Sequence, residues 1–264
     1  MLELTKANRL LSFADDTPKQ AVILAAGLGS RLAKTSEDIK PLKLVGGMSL
    51  IQRNIQHLAD CGIEEVIVVT GYHAPILEST LREDCRHIPV RVTFVFNPEY
   101  RKSNGLSVLC ARSAVRGNFI LTMADHIFDP EMLERAARTI PPKDGALLCV
   151  DYKLDEVFDM DDATKVLVRD GRVASIGKNI GEFNAVYTGL FICTPALFQA
   201  LEQARDLSSS DDCSLSEGIA TLMQTGRMAV QDIGDLRWQD VDDDAMLHQA
   251  ETMVATLEPV SAIA

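Results

Sequence analysis

At 264 residues and a formal net charge of −12, the chain is long enough to bury one sizeable core. Its acidity excludes nucleic acid and anionic membrane surfaces as partners, because no basic cluster offsets it locally. The six cysteines, Cys61, Cys85, Cys110, Cys149, Cys193 and Cys213, stand apart with no C-x-x-C pair and read as buried free thiols of a reducing cytoplasm. No apolar run is long enough to span a bilayer, so the expected protein is soluble and cytoplasmic. Residues 1–18 read as an N-terminal extension and 19–264 as a single globular domain.

Strand-like and helix-like segments alternate through the first half, the pattern of βαβ units on a mainly parallel sheet. AVILAA, residues 21–26, is the first strand and leads directly into Gly27 and Gly29. SLIQRNIQHLADCG places Leu50, Ile51, Ile55, Leu58 and Ala59 on one helical face, with Ser49 as N-cap and Gly62 just past the end. EEVIVVTG, VRVTFVFN and NFILTMAD are apolar runs of strand length, as expected of strands covered on both faces. GLSVLCARSAV reads as a helix between the last two. From DGALLCVDYK onward the strands are shorter and alternate, and Asp170-Gly171 is a strong hairpin signal; this half reads as a smaller sheet layered on the first. SLSEGIATLMQTG carries a capping box from Ser214 to Glu217. The last helix reads as started by Asp242, Asp243 and Asp244.

The residues after the first strand decide which phosphate chemistry is open. A dinucleotide fingerprint needs a third glycine where Leu32 stands, and a P-loop needs a terminal G-K-[ST] that is missing. One remaining reading makes the backbone N–H groups of Gly27 to Ser30 a cradle for phosphate oxygens, with Arg31 and Lys40 as cations. The other is a tight strand-to-helix turn with a surface arginine. Asp125, at the C-terminal end of FILTM, stands where an open α/β sheet presents its site residues, although such an aspartate also serves as a turn or cap residue.

LAAGLGSRL followed by KPLKLVGG resembles the signature of the nucleotidylyltransferases that activate sugar and alcohol phosphates. With KSNGLSVLCA, NFILTMADHIF, ATKVLVRDGRVASIGKNIGEFNAVYTGLFI and WQDVD in order, from about residue 20 to about 245, the chain is most similar to the cytidylyltransferases that make CDP-inositol. The resemblance implies an α/β fold of the nucleotide-diphospho-sugar transferase type, a Rossmann-like mainly parallel sheet with an inserted smaller acceptor-binding sheet. It divides the domain into a nucleotide-binding half (19–140), an acceptor-binding half (141–236) and a closing segment (237–264) with a metal-ligand strand end. The chain departs from the family at Ile39, where proline is usual, and at Ala124, where glycine is usual. Its AKTSEDI segment is longer than in inositol-type members, and the membrane-embedded synthase fused to some relatives is not expected here.

The implied reaction is attack by an acceptor phosphate oxygen on the α-phosphorus of CTP, expelling pyrophosphate. Positioning and positive charge are what the protein must provide. Arg31 and Lys40 would be the catalytic cations, and Asp125 and Asp240 would hold Mg²⁺. The nucleotide would lie on Leu24, Ala25, Ala26, Gly27, Gly29 and Ser30, with Asn104, Gly105 and Ser107 at the base. By resemblance Lys178 holds the acceptor phosphate, with Lys165 as a second candidate, and Glu182, Asn184 and Thr188 are candidates for its hydroxyls. Aromatics are only 5% of the chain, with Trp238 the single tryptophan. An inositol phosphate is therefore expected over choline phosphate, whose head group needs an aromatic cage. The expected partners are CTP and a small phosphorylated alcohol or sugar, with room left for a homodimer. A sugar-1-phosphate nucleotidylyltransferase, a choline-phosphate or aminoethylphosphonate cytidylyltransferase and a non-catalytic nucleotide-binding regulator are the alternatives.

Overall fold

The computed structural model describes residues 16–29 and 39–257. Strand β1 (Gln20–Ala25) lies inside a nine-stranded sheet, flanked in parallel by β4 (Glu65–Thr70) and β6 (Phe119–Met123), with β5 (Arg91–Phe96) at one edge beyond β4. Its odd and even residues feed different cores. Val22 and Leu24 join Ile67, Val69, Phe119 and Leu121 on one face, and Ala21, Ile23 and Ala25 join Val66, Val68 and Ile120 on the other. A strand buried on both faces reads as an unbroken apolar run, which is why these strands are legible in the sequence.

Helices α1 (Leu50–Asp60), α2 (Ala74–Asp84) and α4 (Pro130–Arg138) cover one face. Helices α3 (Asn104–Cys110), α5 (Ala196–Leu207) and α6 (Leu215–Gln224) cover the other. Ser49, which ends the small hairpin of β2 (Leu44–Val45) and β3 (Met48–Ser49), caps α1 by accepting from Gln52 N at 3.3 Å, and both halves of the Ser214–Glu217 capping box form. Helices α2, α4 and α5 lie where pattern reading assigns no element. α3 is shorter than expected, passing at Ala111 into a 3₁₀ turn.

The second half does not build a sheet of its own. β11 (Ala185–Cys193) runs antiparallel to β6, and β8 (Ala146–Asp151), β12 (Met228–Asp232), β10 (Arg172–Gly177) and β9 (Lys165–Arg169) continue the same sheet. Asp170 and Gly171 both have positive φ, 51° and 69°, in the β9–β10 hairpin. β11 is the joint: its register shifts between Tyr187 and Phe191, so its start also pairs with β9 while its end pairs with β6.

A third cluster fixes the C-terminal segment. Val241, fully buried with Val45, Leu50 and Ile127, packs under α7 (Asp244–Leu257) through Ala250, Met253 and Val254. All six cysteines are free; Cys61 and Cys110 are only half-buried. Among the described residues no helix is long and apolar enough to cross a membrane.

Candidate active site

A branched cleft opens over the C-terminal ends of β1 and β6 and the N-terminal end of the antiparallel β11. One lobe lies between the glycine loop and Lys40, bounded by Gly27, Gly29, Pro41 and Asp125. A second runs under α3 and the start of α6, along Leu24, Ala26, Asn104 and Ser107. A third spreads over Asp151, Phe158, Lys178, Trp238 and Asp240. Asp125 borders the first two lobes, while His126 and Tyr187 border the second and third.

Main-chain pairing brings the charged groups to this junction. β13 (Trp238–Asp240) pairs antiparallel with β7 (His126–Phe128), placing Asp240 opposite His126, and Val241 N donates to Asp125 O at 2.9 Å. Lys40 enters as the first residue of a 3₁₀ turn, Lys40–Leu42, with Pro41 second. Gly29 makes its approach possible: at φ +58° a Cβ there would come within 2.7 Å of Lys40 Cβ. Lys40 is 7% exposed; its Nζ is 2.6 Å from Asp125 Oδ2 and also bonds Asp242 Oδ1.

Asp125 lies deep in the fold, yet 30% of its side chain is open to the cleft. Its depth opposes ionisation, but the hydrogen bond from His126 Nδ1, 2.7 Å from Oδ1, and the charge of Lys40 hold its carboxyl well below the usual range. Burial works against the Lys40 ammonium too, and Asp125 and Asp242 overcome it, leaving its pKa raised. Asp240 is pushed up by burial, with His126 opposing and Asp242 and Asp125 adding to the rise. His126 is held by its neighbours. Its ring stacks 6.0 Å from Trp238, its main-chain O accepts from Asn54 Nδ2 at 2.8 Å, and a Cβ on Gly189 (φ +79°) would reach within 2.4 Å of it. Trp238 is fixed in turn by donating to Asp151 Oδ2 at 3.0 Å, and Lys153 ties Asp151 to the carbonyls of Gly234 and Leu236.

The predicted residues divide sharply. Leu24, Ala25, Ala26, Gly27, Gly29, Lys40, Asn104, Ser107, Asp125, Asp240 and Lys178 all line the cleft. Ser30 and Arg31, with most of AKTSEDI, lie outside the described residues. Gly105 does not face the cleft: a Cβ there would meet Cys213 O at 2.4 Å, so its smallness serves helix packing. Lys165 is buried and donates to Asp161 O at 3.0 Å. Glu182 pairs on the surface with Arg169 at 3.0 Å, Asn184 bonds the main chain of Val168 through both amide atoms, and Thr188 donates to Cys149 O at 2.8 Å inside the sheet. None of these four faces the cleft.

Asp242 does not cap the last helix; Asp243 does, accepting from Met246 N at 2.8 Å. In an extended segment i and i+2 share a face, so burial of Val241 leaves Asp240 and Asp242 flanking it, a signal present in the alternation of WQDVD. Asp125 and Asp242 converge on one cation, and two carboxylates joined by phosphate oxygens and water are a usual Mg²⁺ donor set. Among the described residues no group of three or more His, Cys, Asp or Glu does so, so the pair fits an ion that arrives with its own phosphate ligands.

A glycine loop, buried lysine and carboxylates at the strand ends of an α/β sheet define a nucleoside-triphosphate-handling class of protein. The family model for the MobA-like NTP transferase domain matches residues 21–215, and the chain belongs to that family. It is 35% identical over 90% of its length to a bifunctional IPC transferase and DIPP synthase of Thermococcus kodakarensis, covering 51% of that protein. It is 31% identical over 92% of its length to a CMP-5'-(3-aminopropyl)phosphonate synthase of Streptomyces rubellomurinus, covering 40% of it. The chain thus spans about half or less of these relatives. The solved inositol-1-phosphate CTP transferase from T. maritima superposes with a TM-score of 0.78 at 25% identity, over 90% of this chain and 97% of that one. The nucleotide-diphospho-sugar transferase fold is thereby established.

Proposed function

We propose that the chain transfers a cytidylyl group from CTP to inositol 1-phosphate, giving CDP-inositol and pyrophosphate. The observation that carries this reading is the convergence of Lys40, Asp125 and Asp242 where the phosphate lobe meets the other two, in a chain similar along its length to an inositol-1-phosphate CTP transferase. The cytidine occupies the lobe under α3, the triphosphate lies along the glycine loop, and the acceptor enters beside Trp238 and Lys178.

Both reactants are anions, so the barrier is one of repulsion and of charge building on phosphate oxygens. No protein nucleophile is needed. One cation about 4 Å from one negative charge contributes about 4 kcal/mol at an effective dielectric near 20. Lys40 supplies such a charge from a buried position where water screens it little. Mg²⁺ held by Asp125 and Asp242, when bound, would neutralise phosphate charge and fix the triphosphate's geometry. His126 orients Asp125, and Lys178, now paired with Asp162, is the cation on the acceptor side.

A specific observation favours a second reading. The acceptor lobe is not poor in aromatics: Phe158, Tyr187 and Trp238 line it together with Glu156, Asp159 and Asp162. Such a wall also suits an acceptor carrying an ammonium group, as in the aminoalkylphosphonates named for relatives 31% and 33% identical. Competition between equimolar inositol 1-phosphate, aminoethylphosphonate, choline phosphate and glucose 1-phosphate for limiting CTP, read by product mass, decides between them. CDP-inositol should dominate; another dominant product overturns the inositol assignment.

A further inference from the structure

We propose that Asn97, outside the cleft, sets its nucleobase selectivity by holding the Ser107 hydroxyl as a hydrogen-bond donor, which favours cytosine over uracil. The inference rests on the reading of this lobe as the cytidine site. Asn97 follows β5 and is 1% exposed; its Oδ1 accepts from Glu99 N at 2.8 Å. A main-chain N–H only donates, so that contact identifies the amide oxygen and leaves Nδ2 as the other branch. Nδ2 donates to Ser107 Oγ at 2.9 Å. Ser107 is 5% exposed and lines the lobe. A hydroxyl that accepts from an amide keeps its own proton to give away, and among the described residues no acceptor takes it.

Asn104, three residues earlier on the same helix, has the same polarity. Its Oδ1 accepts from Leu215 N at 2.9 Å, leaving Nδ2 to face the lobe. Both groups thus present hydrogens. Cytosine offers lone pairs at O2 and N3, whereas uracil carries a hydrogen at N3 that would confront a donor and leave it unpaired.

The test is calorimetric affinity for CTP and for UTP with Mg²⁺ and no acceptor, in wild type, Asn97→Asp, Ser107→Ala and the double variant. At about pH 8.5, where a carboxylate at 97 is ionised, one oxygen keeps the Glu99 N–H and the other takes the Ser107 proton, turning an Oγ lone pair toward the base. The CTP:UTP affinity ratio should fall at least about tenfold in Asn97→Asp through tighter UTP binding, and about fivefold in Ser107→Ala through weaker CTP binding. In the double variant the ratio should equal that of Ser107→Ala alone, because Asn97 is a positioning residue acting through Ser107. A merely structural role would weaken both nucleotides in step. A ratio in Asn97→Asp within about twofold of wild type, or the same shift on the Ser107→Ala background, overturns the proposal. Should Asn97→Asp not melt cooperatively, Ser107→Ala decides, and an unchanged ratio there overturns it. A wild type without CTP preference overturns both the inference and the cytidylyl reading. A CTP-preferring wild type that uses none of the acceptors overturns the acceptor reading alone.

Discussion

Two carboxylates flank β1 at its opposite ends and are satisfied in opposite ways. Glu65, beside the first residue of β1, is 8% exposed and takes neutral donors, Gln20 Nε2 and Thr93 Oγ1, each at 2.8 Å, with Arg91 no nearer than 3.8 Å. Asp125, beyond the other end, is open to the cleft and takes the Lys40 ammonium and His126 Nδ1 as its partners, with Asp240 and Asp242 close by. Neutral, sealed hydrogen bonds hold a fold together and offer nothing to exchange. Charged partners at an open cleft can be exchanged for phosphate oxygens or a metal ion. The chemistry of their partners separates the two sites.

The largest effect expected from breaking this contrast is at Asp125 and Asp242. Asp125→Asn and Asp242→Asn should each cut pyrophosphate release by at least about a hundredfold at saturating substrates, while thermal melting stays cooperative. Asp240→Asn, whose carboxyl does not bond Lys40, should cost less than about tenfold. Near-normal turnover by Asp242→Asn would return the ligand role to Asp240.

A smaller effect isolates the exchangeable cation. Lys40 occupies the place between two carboxylates that an ion would take, so Lys40→Met should bind Mn²⁺ without nucleotide at least about tenfold more tightly than wild type, about 1.4 kcal/mol. Manganese titration followed by electron paramagnetic resonance reads this directly. Equal or weaker binding by the variant would show that lysine and ion do not share a place.

How far the sequence reaches follows the same division. Lys40 and Asp125 are legible because a glycine loop and a strand end fix them locally, and the buried parallel strands because both faces are apolar. Apart from Lys178, which the family resemblance supplies, the acceptor side is not, because β11 changes partners along its length. Tyr187 and Thr188 are adjacent and face opposite ways; local pattern selects the hydroxyl of Thr188, and the bulge at Gly189 turns Tyr187 to the cleft instead. Its phenol is pushed up by burial, then by Asp125 and Asp240. Trp238 is likewise placed by Asp151, 87 residues away in sequence, a contact that no local reading contains.

The smallest effect belongs to the sealed site. Burial works against the Glu65 carboxylate, but the hydrogen bonds from Thr93 and Gln20 outweigh it, so its folded pKa lies below the ordinary value of 4.5. A lowered folded pKa means that Glu65 stabilises the fold fully above that ordinary value, and that this contribution is lost as the pH falls through the folded one. In Glu65→Gln the amide oxygen can keep Gln20 Nε2 while the amide N–H faces Thr93 Oγ1, which must then accept instead of donate, so two bonds to a charged group become neutral ones. Gln20 keeps its Nε2 turned to position 65, since its Oε1 accepts from Arg116 N at 2.8 Å. The variant should lose about 1 to 3 kcal/mol of stability near neutral pH, and its melting temperature should fall less steeply than that of wild type below pH 4.5. Turnover by the folded variant should match wild type, because six residues of strand, roughly 20 Å, separate Glu65 from the cleft. Melts followed by circular dichroism across the acid range, with turnover measured on the same samples, would show whether the two ends of the strand are as independent as their partners imply. A loss of turnover without a loss of stability would mean that they are not.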